Sequence, residues 1–215
     1  MSATDAGGEF AGLHVLADDG PAWRWSPVEQ AQAACDGGAR VVQLRAKFAT
    51  DRQTLAWGEA IRAATRRAGL RFVVNDRFDL ALALEADAVH LGQGDLPPER
   101  VFGAAGKLAL GRSTHDEDEL ARACAEAVAY VAYGPVFGTS SKETRHAARG
   151  LERLAAAAVR IAPRLLVAIG GIDAARIGAV RAAGARGVAV LSAVAGAPDP
   201  AAATERLVRA FEARA

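Results

Sequence analysis

The sequence predicts a single closed (β/α)8 barrel, a TIM barrel of parallel strands. Three observations lead there. Short apolar runs alternate with helix-like runs almost to the C-terminus, no hairpin signal joins two strand candidates, and the strand candidates are apolar on both faces. Strands of that kind belong to parallel sheets covered on both sides, and a long series of strand–helix units closes such a sheet into a barrel. An open doubly wound sheet would normally carry a glycine-rich dinucleotide loop after an early strand, and the sequence has none.

Residues 1–10 read as a disordered lead-in and residues 11–215 as one TIM-barrel domain. Residues 13–16 form the first strand candidate, and 27–36 a helix that Gly37-Gly38 stops. Residues 41–44 are the second strand, and Asp51 opens a helix carried to Gly69. The stretch RFVVNDRFDLALALEADAVHLGQGDLP then reads as strand 72–74, short helix and strand 88–91. After a helix at 98–106 come a fifth strand at 108–111, a helix at 116–127 with acids in its first turn, and a sixth strand at 130–136. Helix 150–162, strand 165–169, helix 174–183, strand 187–191 and helix 200–214 complete the series.

Composition narrows the class of partner. The chain has 215 residues, 51% of them hydrophobic, enough for a sizeable core. Its 26 basic and 25 acidic residues leave a formal charge of +1, which gives no electrostatic case for a nucleic-acid or anionic-membrane partner. Cys35 and Cys124 lie in alanine-rich helical stretches without paired spacing, so buried thiols in a reducing cytoplasm are expected rather than disulfides or zinc. No run approaches the roughly 18 apolar residues of a membrane span, and the N-terminus carries no signal-peptide pattern.

The chemistry of a barrel sits where strands end. Asp76 follows the third strand and Asp95 the fourth, and a crossover helix between parallel strands brings both ends to one edge. Two carboxylates held close repel unless a cation sits between them, and oxygen-only ligands suit Mg²⁺ completed by substrate phosphate. The plainer reading makes Asp76 a capping residue and Asp95 a turn residue. In VVQLRAK, Gln43, Arg45 and Lys47 share one strand face, where unpaired buried charge would cost several kcal/mol; an anion is the natural partner, and cations snorkelling to solvent are the alternative. The runs GRSTH (111–115) and GPVFGTSSK (134–142) offer hydroxyls, backbone N–H groups and a lysine suited to phosphate. Gly170-Gly171 and Leu191-Ser192 end the last two strands, after which such barrels often bind phosphate.

The runs VVQLRAK, VVNDR, ADAVHLGQGDLP, GRSTH, GPVFGTSSK, AIGGI and GVAVLSAV, in this order, resemble the thiamine-phosphate synthase family from about residue 13 to residue 194. The resemblance implies a cytoplasmic transferase of thiamine biosynthesis that condenses hydroxymethylpyrimidine diphosphate with hydroxyethylthiazole phosphate, giving thiamine phosphate and pyrophosphate, with Mg²⁺. It implies Mg²⁺ at Asp76 and Asp95, diphosphate at Arg45, Lys47, Asn75, Ser113 and Lys142, and the pyrimidine against Gln43 and His90, although a satisfied core histidine remains the other reading of His90. Thr139, Ser141, Gly171, Leu191 and Ser192 would hold the thiazole phosphate. Ala46 departs from the acidic residue the family usually places between the arginine and the lysine, and it is expected to point away from the lumen. The implied chemistry is dissociative, with Arg45, Lys47, Ser113 and Lys142 as the catalytic set and with loops 46–53 and 140–149 as candidates for shielding the cation. The same family contains a thiazole tautomerase branch, which typically has a histidine where this chain has Pro135 and often lacks the acid of Asp95. A non-catalytic barrel binding thiamine intermediates is the third reading, and a retained metal-type acid pair argues against it. Homo-oligomer formation is left open.

Overall fold

The structure of the protein, a computed structural model, describes residues 8–138 and 147–213, the side chains of residues 102, 104 and 105 excepted. Strands β1 (Gly12–Asp18), β2 (Val41–Arg45), β3 (Arg71–Asn75), β4 (Ala88–Leu91), β5 (Ala109–Thr114), β6 (Tyr130–Tyr133), β7 (Leu165–Ile169) and β8 (Gly187–Val190) pair in parallel in sequence order, and β8 returns to β1. The barrel is closed, as the alternation predicts. Around it lie α1 (Pro27–Asp36), α2 (Asp51–Ala68), α3 (Phe78–Ala83), α4 (Pro98–Ala105), α5 (Glu117–Ala125), α6 (Gly150–Ile161), α7 (Ala174–Ala182), a short α8 (Ser192–Ala195) and α9 (Pro200–Glu212).

Local chemistry sets the helix ends. Ser26 with Glu29, and Thr50 with Gln53, form capping boxes that start α1 and α2, each satisfying N–H groups that a helix leaves open. Gly69 ends α2 at φ 71°, the left-handed region that glycine adopts without strain. The strand side chains divide into two sets by alternation. Val15, Val42, Leu44, Phe72, Val74, Val89, Leu91, Val131 and Val188 pack outward against the helices, whereas Leu16, Val41, Val73, Ala88, Tyr130, Ala132, Leu165, Val167 and Ala189 fill the lumen. Among the described residues no helix is long and apolar enough to cross a membrane.

Several boundaries differ from the sequence expectation, each for a physical reason. β1 runs two residues beyond 16, because Asp18 still pairs with Arg45 in the ladder. β5 continues to Thr114 against β6, so Arg112 and Ser113 are strand residues rather than loop. β6 stops at Tyr133 instead of 136: Pro135 has no N–H for the ladder, and Gly134 lies so close to β7 that a Cβ there would come within 2.1 Å of the Ile169 carbonyl. Residues 8–10, grouped with the lead-in by the sequence, form a 3-10 turn whose Phe10 is fully buried and closes the floor of the lumen against Tyr130, ring centroids 5.4 Å apart.

Candidate active site

The C-terminal ends of the strands gather most of the polar residues singled out in the sequence. On β2, Gln43 is buried and faces the lumen, and Arg45 follows on the same face. The Arg45 guanidinium is ion-paired with Asp18, itself 3% exposed. The other oxygen of Asp18 accepts from the Trp23 indole at 2.6 Å and the Gly20 N–H at 2.9 Å. Gln30 on α1 then locks the backbone of Asp18 in both directions, at 2.9 Å each way. Arg45 is thus held from behind by a carboxylate with little freedom, which leaves the rest of its fork for an anion at the mouth.

Lys47 reaches across the rim to pair with Asp76. Asp76 lies just past β3 with φ 63°, a conformation uncommon for a residue with a Cβ and one that Asp tolerates better than most. Asp95 sits in the turn after β4, where its carboxylate accepts from the Gly92 N–H at 2.6 Å. Burial raises the Asp95 carboxyl above its ordinary range; the neighbouring Asp76 carboxylate adds to the rise, while the Gly92 N–H and Lys47 oppose it. The two acids therefore face each other, and Lys47 supplies the positive charge between them. Among the described residues no group of three or more His, Cys, Asp or Glu side chains forms a metal cluster. Two neighbouring carboxylates match the oxygen donor set of Mg²⁺, which takes its remaining oxygens from substrate and water.

Deeper in the lumen His90, buried on β4, links two neighbours. Its Nε2 lies 2.8 Å from the Ser113 hydroxyl and its Nδ1 3.2 Å from the Tyr130 hydroxyl, with the Tyr130 ring stacked at 5.6 Å. Burial raises the Tyr130 phenol, so it stays protonated beside Nδ1. The imidazole thus joins the Tyr130 and Ser113 hydroxyls in one hydrogen-bonded column. Gly111 makes this stack possible: a Cβ there would lie 2.3 Å from the Tyr130 ring. Below, His14 Nε2–H donates to the Phe10 carbonyl at 2.6 Å, and burial lowers its pKa to about 4.

Loop 46–49 is anchored from β1. The Asp19 carboxylate accepts from the N–H groups of Lys47, Phe48 and Ala49, each at 2.8 Å. The segment 46–53, a candidate for shielding the cation, is thus fastened at one end and helical from Asp51. Ala46 lines a small cavity with Leu44, Thr54, Val74 and Leu80 outside the lumen, as anticipated.

Asn75 ends β3 on the lumen side by alternation. Gly171, Leu191 and Ser192 stand on the far arc of the rim, at the ends of β7 and β8. Gly171 is required there, since at φ 62° a Cβ would lie 2.4 Å from the Gly138 carbonyl. Thr139, Ser141 and Lys142 lie outside the described residues. The sequence reading missed Asp18, Asp19 and Tyr130. Asp18 could have been found by extending the inward parity of His14 and Leu16 by one more step; Asp19 and Tyr130 act through partners distant in sequence, which no local pattern shows.

Comparison with known proteins identifies the family and the fold. A family model described as thiamine monophosphate synthase matches residues 13–194. Thiamine-phosphate synthase of Thermus thermophilus is 43% identical over 94% of this chain and 96% of its own, and that of Anaeromyxobacter dehalogenans is 47% identical over 95% and 89%. Among solved structures, thiamine phosphate pyrophosphorylase from Pyrococcus furiosus superposes with a TM-score of 0.86 at 34% identity, covering 98% of both chains.

Proposed function

The chain belongs to the thiamine monophosphate synthase family, a transferase family that condenses two substrates with release of diphosphate, and on that premise we propose which of its residues perform the reaction. Its substrates are hydroxymethylpyrimidine diphosphate and hydroxyethylthiazole phosphate. The observation that carries the assignment is the convergence of Arg45, Lys47, Asp76 and Asp95 on one arc of the rim, directly above the polar column Ser113–His90–Tyr130.

The diphosphate lies against Arg45, Lys47, Asn75 and Ser113, with Lys142 as a fifth partner. Asp76 and Asp95 would hold Mg²⁺, which when bound supplies charge neutralisation to the diphosphate oxygens. Lys47, paired with Asp76 in this structure, would then be available to the phosphates. Below, Gln43 and His90 orient the pyrimidine ring. The bond from the pyrimidine methylene carbon to oxygen breaks, its electron pair leaves with pyrophosphate, and the electron-rich aminopyrimidine carries the positive charge. The thiazole nitrogen donates its lone pair to that carbon, forming the new C–N bond. Neither a covalent nucleophile nor a general base is needed. The fixed cations act mainly on the departing charge, and one such contact is typically worth about 10²–10³ in rate. The thiazole phosphate occupies the arc of Gly171, Leu191 and Ser192, with Thr139 and Ser141 beside it. Pro135 offers no proton-transfer group, so the tautomerase reaction has no support.

Incubating the purified chain with both phosphorylated substrates and Mg²⁺ is expected to give thiamine phosphate and pyrophosphate in equal amounts. Isomerisation of a thiazole carboxylate phosphate without coupling to the pyrimidine would overturn the reading.

A further inference from the structure

Arg112 has no part in the reaction described above, yet it is one of the most buried charges in the protein, 6% exposed. It lies on β5 directly beside Leu91, the last residue of β4, and so next to the start of the turn that presents Asp95. Ser113, its neighbour, faces the lumen; Arg112 faces outward. Its Nη1 donates to the Gly92 carbonyl at 2.6 Å, and its Nε lies 3.3 Å from Oε2 of Glu126, an ion contact without hydrogen-bond geometry.

The Gly92 carbonyl is the hinge of the acid turn. It accepts the Asp95 N–H at 3.3 Å, while the Gly92 N–H donates to the Asp95 carboxylate at 2.6 Å. Gly92 and Asp95 thus close the turn on itself, and something else must fix the turn to the barrel. Two bonds to β5 do so: Arg112 to Gly92, and the Gln93 amide to the Ser113 carbonyl at 2.6 Å. A buried guanidinium is expensive to keep unless its geometry is used. Groups outside a metal's own ligands commonly orient those ligands and are worth about 10–100-fold in metal affinity.

We infer that Arg112, held by Glu126, is a positioning residue for the divalent-cation site: it fastens the Gly92–Asp95 turn to β5 and so sets the approach of the Asp95 carboxylate to Asp76. The inference rests on the proposed assignment of those two acids to the cation. Without Arg112 the turn stays closed but swings as a body, so the carboxylate separation changes. The far arc of the rim is untouched.

The test uses the full chain and inorganic pyrophosphate, whose binding is followed by calorimetry across a Mg²⁺ titration, with melting temperature and hydroxyethylthiazole phosphate binding measured alongside. Arg112→Met combined with Glu126→Leu replaces the ion pair by apolar groups of similar size, a change that folds often tolerate. Arg112→Lys keeps the charge beside Glu126, loses the guanidinium fork, and serves if the double variant does not fold. Either variant is expected to raise the Mg²⁺ concentration for half-maximal pyrophosphate binding by about 10-fold or more, with thiazole phosphate affinity unchanged. A wild-type Mg²⁺ titration in a folded variant overturns the inference, as does an equal weakening of both ligands, which marks a purely architectural pair. Asp95→Asn is the reference: if it too binds pyrophosphate with the wild-type Mg²⁺ dependence, the cation assignment itself falls, and the role of Arg112 with it.

Discussion

Asp18→Asn isolates the charge behind Arg45. An asparagine oriented with its oxygen in the place of Oδ1 keeps the bonds from Gly20 and Trp23, at 2.9 and 2.6 Å, and presents its NH₂ to the guanidinium in place of an anion. A hydrogen bond to a charged group contributes about 1.5–3 kcal/mol, and removing one partner of a buried pair costs about 3–5 kcal/mol. The Arg45 side chain is 18% exposed, so water recovers part of that loss, and about 2 kcal/mol is expected. For a chain of this length that corresponds to a fall in melting temperature of about 4–8 °C. Pyrophosphate with Mg²⁺ offers Arg45 a replacement anion, so saturating both should narrow the gap between variant and wild type. Calorimetric or fluorescence melting with and without these ligands reads both effects. A variant that melts within about 1 °C of wild type would refute the claim that Asp18 is the anchor of Arg45.

Three further outcomes are expected. Gly111→Ala drives a methyl group into the Tyr130 ring, where the space is 2.3 Å, and should lower stability by about 1–3 kcal/mol in denaturant melts; Tyr130→Leu combined with it should recover part of the loss. His14 has a folded pKa of about 4 against 6.5 for the free side chain, so its contribution is complete above pH 6.5 and is lost as pH falls toward 4; His14→Gln should make the acid decline in stability shallower by about 2–3 kcal/mol across that window, measured by urea midpoints. Lys142→Ala should slow bond breaking in single turnovers by about 10²-fold with little change in thiazole phosphate binding, and an unaltered rate would remove Lys142 from the catalytic set.

The barrel was legible because its signals are local. Apolar runs bounded by glycine, proline and capping residues fall at nearly every strand and helix, and α1, β4 and β7 occupy the expected residues. The acid pair was legible for a topological reason, since successive parallel strands end at one edge. What escaped was the support behind each group. Asp18 meets Arg45, Arg112 meets Gly92, and Tyr130 meets His90 only after strands far apart in the chain are laid side by side. Arg112 and Ser113 read as loop residues because polar side chains at a strand end look like loop. In this barrel the last turns of strand carry the polar contacts.

Phe10 gives the lumen a sealed floor, and a vessel with one opening imposes an order on its traffic. With Phe10 packed on Tyr130 at the bottom, Gln43 and His90 are approached from the strand ends where Arg45 and Lys47 stand. A partner seated deeper would then arrive first, and one resting on the rim would close the exit behind it. On the proposed seating, with the pyrimidine below and the thiazole above, the second substrate would also be the stopper that keeps water from the cation, and release would begin with whatever sits outermost.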